Sequence, residues 1–148
     1  MSVLAIIRPD SWNWALLVHV GGAMILVGAL LTAGTASMMM RRDATGTLAV
    51  FSYRMLLWVG LPGLIIMRAG AAWIYDKEGY SGDNDPTWLG IGFAAADIGL
   101  LVLLVTIGVA YWWRRSGKPL AGHIVAGLST VYLLLLAVAW LAMAGKWG

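Results

Sequence analysis

The sequence predicts an all-α integral membrane protein that folds as a four-helix up-and-down bundle. The 148 residues are 61% hydrophobic and 11% charged, and their mean hydropathy is +0.82. A soluble globular domain is about half apolar and about a quarter charged, so this chain has too little polar surface for water. Long apolar stretches separated by short polar segments fill nearly all of the chain.

Each apolar stretch is long enough to cross a bilayer as a helix, and together they form one transmembrane domain over residues 1–148. The predicted helices are Trp12–Met40, Leu48–Tyr75, Trp88–Trp113 and Leu120–Ala144. About 20 residues span the hydrocarbon core, and continuous rather than alternating apolar runs argue against a barrel. Short connections make neighbouring helices antiparallel, which gives the up-and-down bundle.

The residues before the first helix are predicted to form an interfacial tail, in which Arg8 and Pro9 end a short apolar run. Asp10 or Ser11 is expected to cap the helix by accepting bonds from its first backbone N–H groups. Because Arg8 follows the apolar run instead of preceding it, this segment is unlike a signal peptide. The first helix is therefore expected to remain in the mature protein.

The second helix contains Pro62, whose ring is expected to release the carbonyl of Trp58 and bend the helix. Trp58 and Trp140, on the second and fourth helices, lie away from the helix ends. Packing inside the bundle is their predicted role.

The third helix carries two interleaved pairs of small residues, Gly92 with Ala96 and Ala95 with Gly99. Small residues let helix backbones approach closely in lipid, where no hydrophobic force drives helices together. These pairs predict close packing inside the bundle, with a dimer face on the third helix as the alternative.

The positive charges in the loops predict the orientation of the chain. The first and third loops carry five of them: Arg41, Arg42, Arg114, Arg115 and Lys118. The opposite side carries three, which are Arg8, Lys77 and Lys146. Since positive loops stay in the cytoplasm, both termini are expected on the outer side of a bacterial inner membrane.

Composition also excludes several functions. The chain has no cysteine, so it has no disulfide, iron–sulfur cluster or thiolate metal site. It has no basic run of five or more residues, and its positive charges lie at the ends of apolar segments. A nucleic-acid partner is therefore not expected. No catalytic residues and no metal site are assigned, because no nucleophile–base pair or phosphate loop is visible.

Three polar residues interrupt the apolar helices at a similar depth. His19, Arg68 and Asp97 lie about 10 to 13 Å below the outer ends of the first, second and third helices. Charged groups inside a membrane face a partner or a cavity, so the sequence predicts a buried polar layer of these three residues. Within it, Arg68 and Asp97 are expected to form an ion pair.

His19 is the candidate ligand for a cofactor, because Gly21 and Gly22 follow it and would let a flat group reach the backbone. A neutral imidazole can bind haem iron or a transition metal, although a simple hydrogen-bonded histidine is the alternative. Arg54 and His123 lie near the inner side and form a secondary polar set. Arg54 precedes Arg68 by fourteen residues, which places both on nearly one face of an uninterrupted helix.

The first helix also carries a recognisable string, Leu16-Leu17-Val18-His19-Val20 followed by Val27-Gly28. This string resembles the first helix of small bacterial four-helix membrane proteins grouped as a domain of unknown function. A similar histidine–glycine spacing occurs in the copper resistance D membrane domain and in haem-binding membrane protoporphyrinogen oxidases. The resemblance implies a metal or haem b ligand at His19, although those families usually carry tryptophan where this chain has Leu26.

These observations favour a multi-pass membrane protein without catalytic activity, acting as an accessory or structural subunit organised by the polar layer. Its expected partners are the lipid bilayer and a larger membrane complex or further copies of itself. One alternative is a haem- or metal-binding redox protein that uses His19. The other is an oligomeric conduit for protons or small solutes, with Asp97 as the titrating group.

Overall fold

The computed structural model describes residues 10–39, 46–80 and 85–145. The helices run in the order α1 (Asp10–Met38), α2 (Thr47–Met55), a π-helical segment (Leu56–Gly60), α3 (Leu61–Glu78), α4 (Thr87–Ser116) and α5 (Pro119–Gly145). Because α2, the π segment and α3 form one continuous rod, these elements make four spans, each long and apolar enough to cross a membrane. The protein is a helical bundle of four membrane spans.

The helix bounds differ from the predicted ones by at most three residues at each end that the structure describes. The predicted interfacial tail, the end of the first helix at Met40, and the loop residues Arg41 and Arg42 lie outside the described residues. The same is true of Lys146 and of the side chains of Asp10 and Ser11, so the predicted cap stays a prediction.

The π segment is a local feature that the sequence analysis anticipated only as a bend at Pro62. Proline has no N–H to donate to the carbonyl of Trp58, and its ring would collide with that carbonyl in a regular α-helix. A wider π turn just before the proline accommodates both the missing N–H and the bulk of the proline ring. The N–H of Leu61 donates to the carbonyl of Leu56, five residues earlier.

Glycines on both helices bring α1 and α3 into backbone contact. A methyl group added at Gly22 would collide with the backbone nitrogen of Met67, and one at Gly70 with the backbone nitrogen of His19. A methyl group at Gly63 would lie 2.9 Å from the backbone nitrogen of Leu26. In lipid this close approach supplies the packing contacts that hold helices together.

The small residues of α4 face α5, as expected for packing inside the bundle. The end of the Met143 side chain packs against Gly92, and the ring of Tyr132 packs against Gly99. Ala95 is buried on the same side of the helix. The Gly92 and Gly99 side of α4 is therefore occupied by α5, and the alternative of a dimer face on the third helix stays a prediction.

The second and third spans are packed more tightly at one end of the bundle than at the other. We call the end with Glu78 and Thr87 the upper end and the end with Ser116 the lower end. Helix α1 lies between the second span and α5, and α4 packs along α5 and against α2 in the lower half. In the upper half, α3 and α4 barely touch. The bundle consequently has a lateral opening between α3 and α4.

The core is made mainly of leucines and small residues, with Leu26, Leu30, Leu56 and Leu103 fully buried. The packing role predicted for Trp58 and Trp140 is wrong, because their side chains are 72% and 67% exposed on the outside of the bundle. A large aromatic ring is as compatible with lipid as a leucine, so depth along a span does not imply burial within the protein.

Candidate functional site

An ion pair joins the two helices that border the lateral opening. Arg68 lies ten residues before the end of α3 and Asp97 ten residues after the start of α4, so both are about 15 Å along the helix axis from the upper end. An Arg68 guanidinium nitrogen lies 2.5 Å from an Asp97 carboxylate oxygen. The structure thus brings together the two charged residues that the sequence analysis paired.

The chain does not bury this ion pair by itself. The Arg68 side chain is 39% exposed and the Asp97 side chain is 66% exposed. The pair was predicted to be buried inside the bundle, but the bundle leaves it exposed because α3 and α4 have few contacts with each other. An exposed pair in water contributes at most about 1 kcal/mol, whereas a single charge at mid-bilayer costs about 2.5 to 3.5 kcal/mol. Inside a membrane the exposure of these charges is therefore more costly than it is in water.

Aromatic side chains close the opening above the ion pair. The Tyr75 hydroxyl donates a hydrogen bond of 2.9 Å to the Asp85 carboxylate, and the Tyr75 ring meets the edge of Phe93 at 5.6 Å between centroids. Tyr80 continues the cluster toward Trp88. We call Tyr75, Tyr80, Trp88 and Phe93 the aromatic lid. This cluster was not predicted from the sequence, although aromatic residues on both sides of one short loop were its signal.

His19 lies at the same level but does not join the ion pair. Its Nδ1 is 2.9 Å from the carbonyl oxygen of Met67, and a carbonyl can only accept, so Nδ1 carries the proton. In a neutral imidazole that donates from Nδ1, Nε2 is the acceptor nitrogen. Gly22, which was expected to leave room for a flat group, is instead filled by the backbone of Met67, whereas Gly21 has free space.

Two hydroxyl groups in the core were not anticipated. Ser129 and Tyr132 on α5 are fully buried, and neither hydroxyl has a hydrogen-bond partner among the described residues. A polar residue in the middle of an apolar helix was the available signal, but one sequence does not show which way it points.

The secondary polar residues lie away from this layer. His123 is exposed near the lower end, and its Nδ1 donates to the carbonyl of Pro119 in its own helix, at 3.0 Å. Arg54 is exposed on α2. The predicted shared face of Arg54 and Arg68 assumed an uninterrupted helix, but the π segment lies between them and changes the rotation of α2 relative to α3.

The lower end is joined by aromatic and cationic contacts between the second and third spans. The Tyr53 and Tyr111 rings lie 5.7 Å apart, and the Arg114 guanidinium lies over both, at 4.9 and 5.1 Å from the ring centroids. Arg115 donates a hydrogen bond of 3.0 Å to the Tyr111 hydroxyl. These contacts join α2 and α4 in the lower half, whereas α3 and α4 have few contacts in the upper half.

Comparisons of the chain with models of known families, with curated proteins and with solved structures found no match. Within residues 10–39, 46–80 and 85–145, no three histidine or carboxylate side chains come together as a metal site would require. The resemblance of the first helix to cofactor-binding families consequently stays a prediction.

Proposed function

We propose that this protein is a non-catalytic subunit of a membrane assembly, and that it joins the assembly through the face between α3 and α4. The observation that carries this proposal is the Arg68–Asp97 pair, which lies inside a membrane span and is 39% and 66% exposed. Charged groups at this depth face the interior of a bundle or a cavity. Another protein chain at the lateral opening would provide that interior.

The rest of the architecture supports this assignment. The lower half of the bundle is closed by Tyr53, Tyr111 and Arg114, and the top of the opening is closed by the aromatic lid. Between these two regions the Arg68–Asp97 pair forms an uncovered charged patch on the flank of the molecule. A patch of this kind suits a contact with a neighbouring membrane helix.

The test is the size of the complex that the protein forms in its own membranes. Wild-type chain and the Arg68→Leu/Asp97→Leu double variant are extracted in a mild detergent and separated by native electrophoresis. The wild type is expected in a species larger than the monomer, and the double variant, which inserts without unpaired charges, as monomer. A wild type that is monomeric in every mild detergent, and uncrosslinked in intact membranes, would remove the proposal.

A haem- or metal-binding redox protein is the second candidate, and the hydrogen bond of His19 favours it. Histidine ligands commonly donate one ring N–H to a carbonyl while the other nitrogen binds the metal. His19 has this arrangement, with Nδ1 held by Met67 and Nε2 left as acceptor. The absorption spectrum tests it: a protein without a Soret band after haem addition, or one whose band survives His19→Ala, does not use His19 for haem.

A conduit for protons or small solutes is the third candidate, and the unpartnered hydroxyls of Tyr132 and Ser129 favour it. They lie on α5, toward mid-membrane from the Arg68–Asp97 level, where they could bind water. Proton flux into liposomes measures this activity, and flux that is unchanged by Asp97→Asn would exclude Asp97 as its titrating group. For all three candidates we place the protein in a bacterial inner membrane with both termini outside.

A further inference from the structure

We propose that the chain covering the Arg68–Asp97 pair is a second copy of this protein, packed through the face of α4 that carries Asp97. This inference rests on the proposed function and names the partner. It concerns the side of α4 that faces away from α5, not the Gly92 and Gly99 side that α5 already occupies.

One continuous exposed seam runs along α4. Its members are all exposed and are spaced four and three residues apart in alternation: Gly90, Ala94, Asp97, Leu101, Leu104 and Gly108. This spacing puts residues in one line along a helix and is the pattern of helix pairs that pack along their length. We call this line the α4 seam.

The composition of the α4 seam suits a protein neighbour better than lipid. A methyl group added at Gly90 or Gly108 would meet nothing within 4 Å, so the backbone itself is open to the surroundings there. Small residues at such positions allow a second helix to come close. Leu101, between them, is 65% exposed and supplies apolar contact area.

The charges select a second copy over an unrelated helix. Every copy inserts in the membrane in the same direction, so the charged layers of two copies lie at the same depth without any adjustment. Each copy presents the Asp97 carboxylate on the α4 seam and the Arg68 guanidinium beside it. When a two-fold axis along the membrane normal passes beside the α4 seam, between the α3 and α4 faces of the two copies, such a patch is complementary to itself, with Asp97 of each copy facing Arg68 of the other. Four charges then alternate in sign within one interface, and each is shielded from acyl chains.

Because the chain has no cysteine, an introduced cysteine is the only thiol that a crosslinking reagent can modify. Leu101→Cys on the α4 seam is treated with a short bifunctional maleimide in liposomes that contain this protein alone. Met24→Cys on α1 and Leu134→Cys on α5 are the matched controls, since both side chains are exposed on other faces. Crosslinked dimer is expected for Leu101→Cys, at five times or more the yield of either control.

Charge exchange then tests the pairing between copies. A chain with Arg68→Asp and a chain with Asp97→Arg are each repulsive within themselves and in their own dimers. When the two are expressed together, only the mixed dimer restores both contacts between copies. Crosslinking through Leu101→Cys is therefore expected to fall several-fold for each variant alone and to recover in the mixture. The exchange of both residues on one chain is the folding control and should crosslink like wild type.

The outcomes separate this inference from the proposed function. Equal yields at Leu101 and at the control positions, or no recovery in the mixture while the doubly exchanged chain crosslinks normally, overturn the second copy. If the protein is then still found in a larger species in its native membranes, the proposed function stands with a different partner. If it is monomeric there too, both fail.

Discussion

At the scale of single residues, neighbouring glycines in α1 have different roles. Gly22 lies against the backbone of Met67, whereas a methyl group at Gly21 would meet nothing within 4 Å. Gly22→Ala is therefore expected to destabilise the bundle by about 1 to 3 kcal/mol, as overpacking does, because helix backbones cannot move aside as a flexible side chain can. Reversible unfolding in mixed detergent micelles measures the difference, and Gly21→Ala is the matched control. Equal stability of the two variants would show that α1 and α3 do not touch at Gly22.

The Arg68–Asp97 pair predicts non-additive mutations. Arg68→Leu or Asp97→Leu leaves one charge without its partner inside the membrane, which is costly, but the double variant leaves none. The double variant is expected to be more stable than the sum of the single effects predicts, by about 0.5 to 3 kcal/mol, the usual range for residues in contact. Unfolding of the four proteins in one detergent, where all are monomeric, measures this coupling. Additive effects would mean that the two side chains do not interact.

Substitutions of Tyr132 test whether its buried hydroxyl has a hydrogen-bond partner and how much its ring contributes to stability. An unpartnered buried hydroxyl costs free energy, so Tyr132→Phe is expected to leave the stability unchanged or raise it. Tyr132→Ala removes the ring that fills the space beside Gly99 and is expected to cost about 3 to 5 kcal/mol. Both are measured by unfolding in detergent. A loss above about 1 kcal/mol for Tyr132→Phe would show that the hydroxyl has a partner, such as an internal water.

At the scale of elements, the sequence predicts the spans well because length and hydropathy determine them. It predicts their contacts less well. Interleaved small residues on α4 indicated close packing. Only the structure shows that α5 packs against Gly92 and Gly99, while Gly90 and Gly108 have no neighbour within 4 Å of an added methyl group. The π segment was beyond reach because a proline can be accommodated by a kink or by a wider turn. The directions in which the Tyr132 and Trp58 side chains point depend on how each helix is rotated about its own axis, and the sequence alone does not determine that rotation.

The aromatic lid connects two elements and makes a prediction about them. Tyr75→Phe loses the hydrogen bond to Asp85 and is expected to cost about 0.5 to 1.5 kcal/mol. Tyr75→Ala also loses the contact with Phe93, so the first turns of α4 should open more often. Hydrogen exchange of the segment from Thr87 to Phe93 measures this and should be fastest in the alanine variant. Trp73→Ala, an exposed residue of the same helix, should leave that exchange unchanged; equal acceleration by both variants would count against the lid.

At the scale of the whole molecule, the two ends of the bundle differ in closure and in charge. The lower end is held together by Tyr53, Tyr111 and Arg114, while the upper end diverges between α3 and α4. Divergence places the polar residues of the upper half on a lateral surface instead of in a closed core. The same four spans therefore combine a lower half in which the second and third spans are in contact with an upper half in which the Arg68–Asp97 pair is left exposed.

The charge difference between the ends predicts how the molecule sits in the membrane. The lower end carries Arg114, Arg115 and Lys118, and positive loops stay in the cytoplasm. Thr87 and Lys118 are both exposed at opposite ends, and the chain has no native cysteine to interfere. In intact cells, a membrane-impermeant maleimide should label Thr87→Cys at once and Lys118→Cys only after the membrane is broken. The reverse pattern would invert the orientation and put the Arg68–Asp97 level in the cytoplasmic half of the bilayer, while leaving the contact between α3 and α4 as it is.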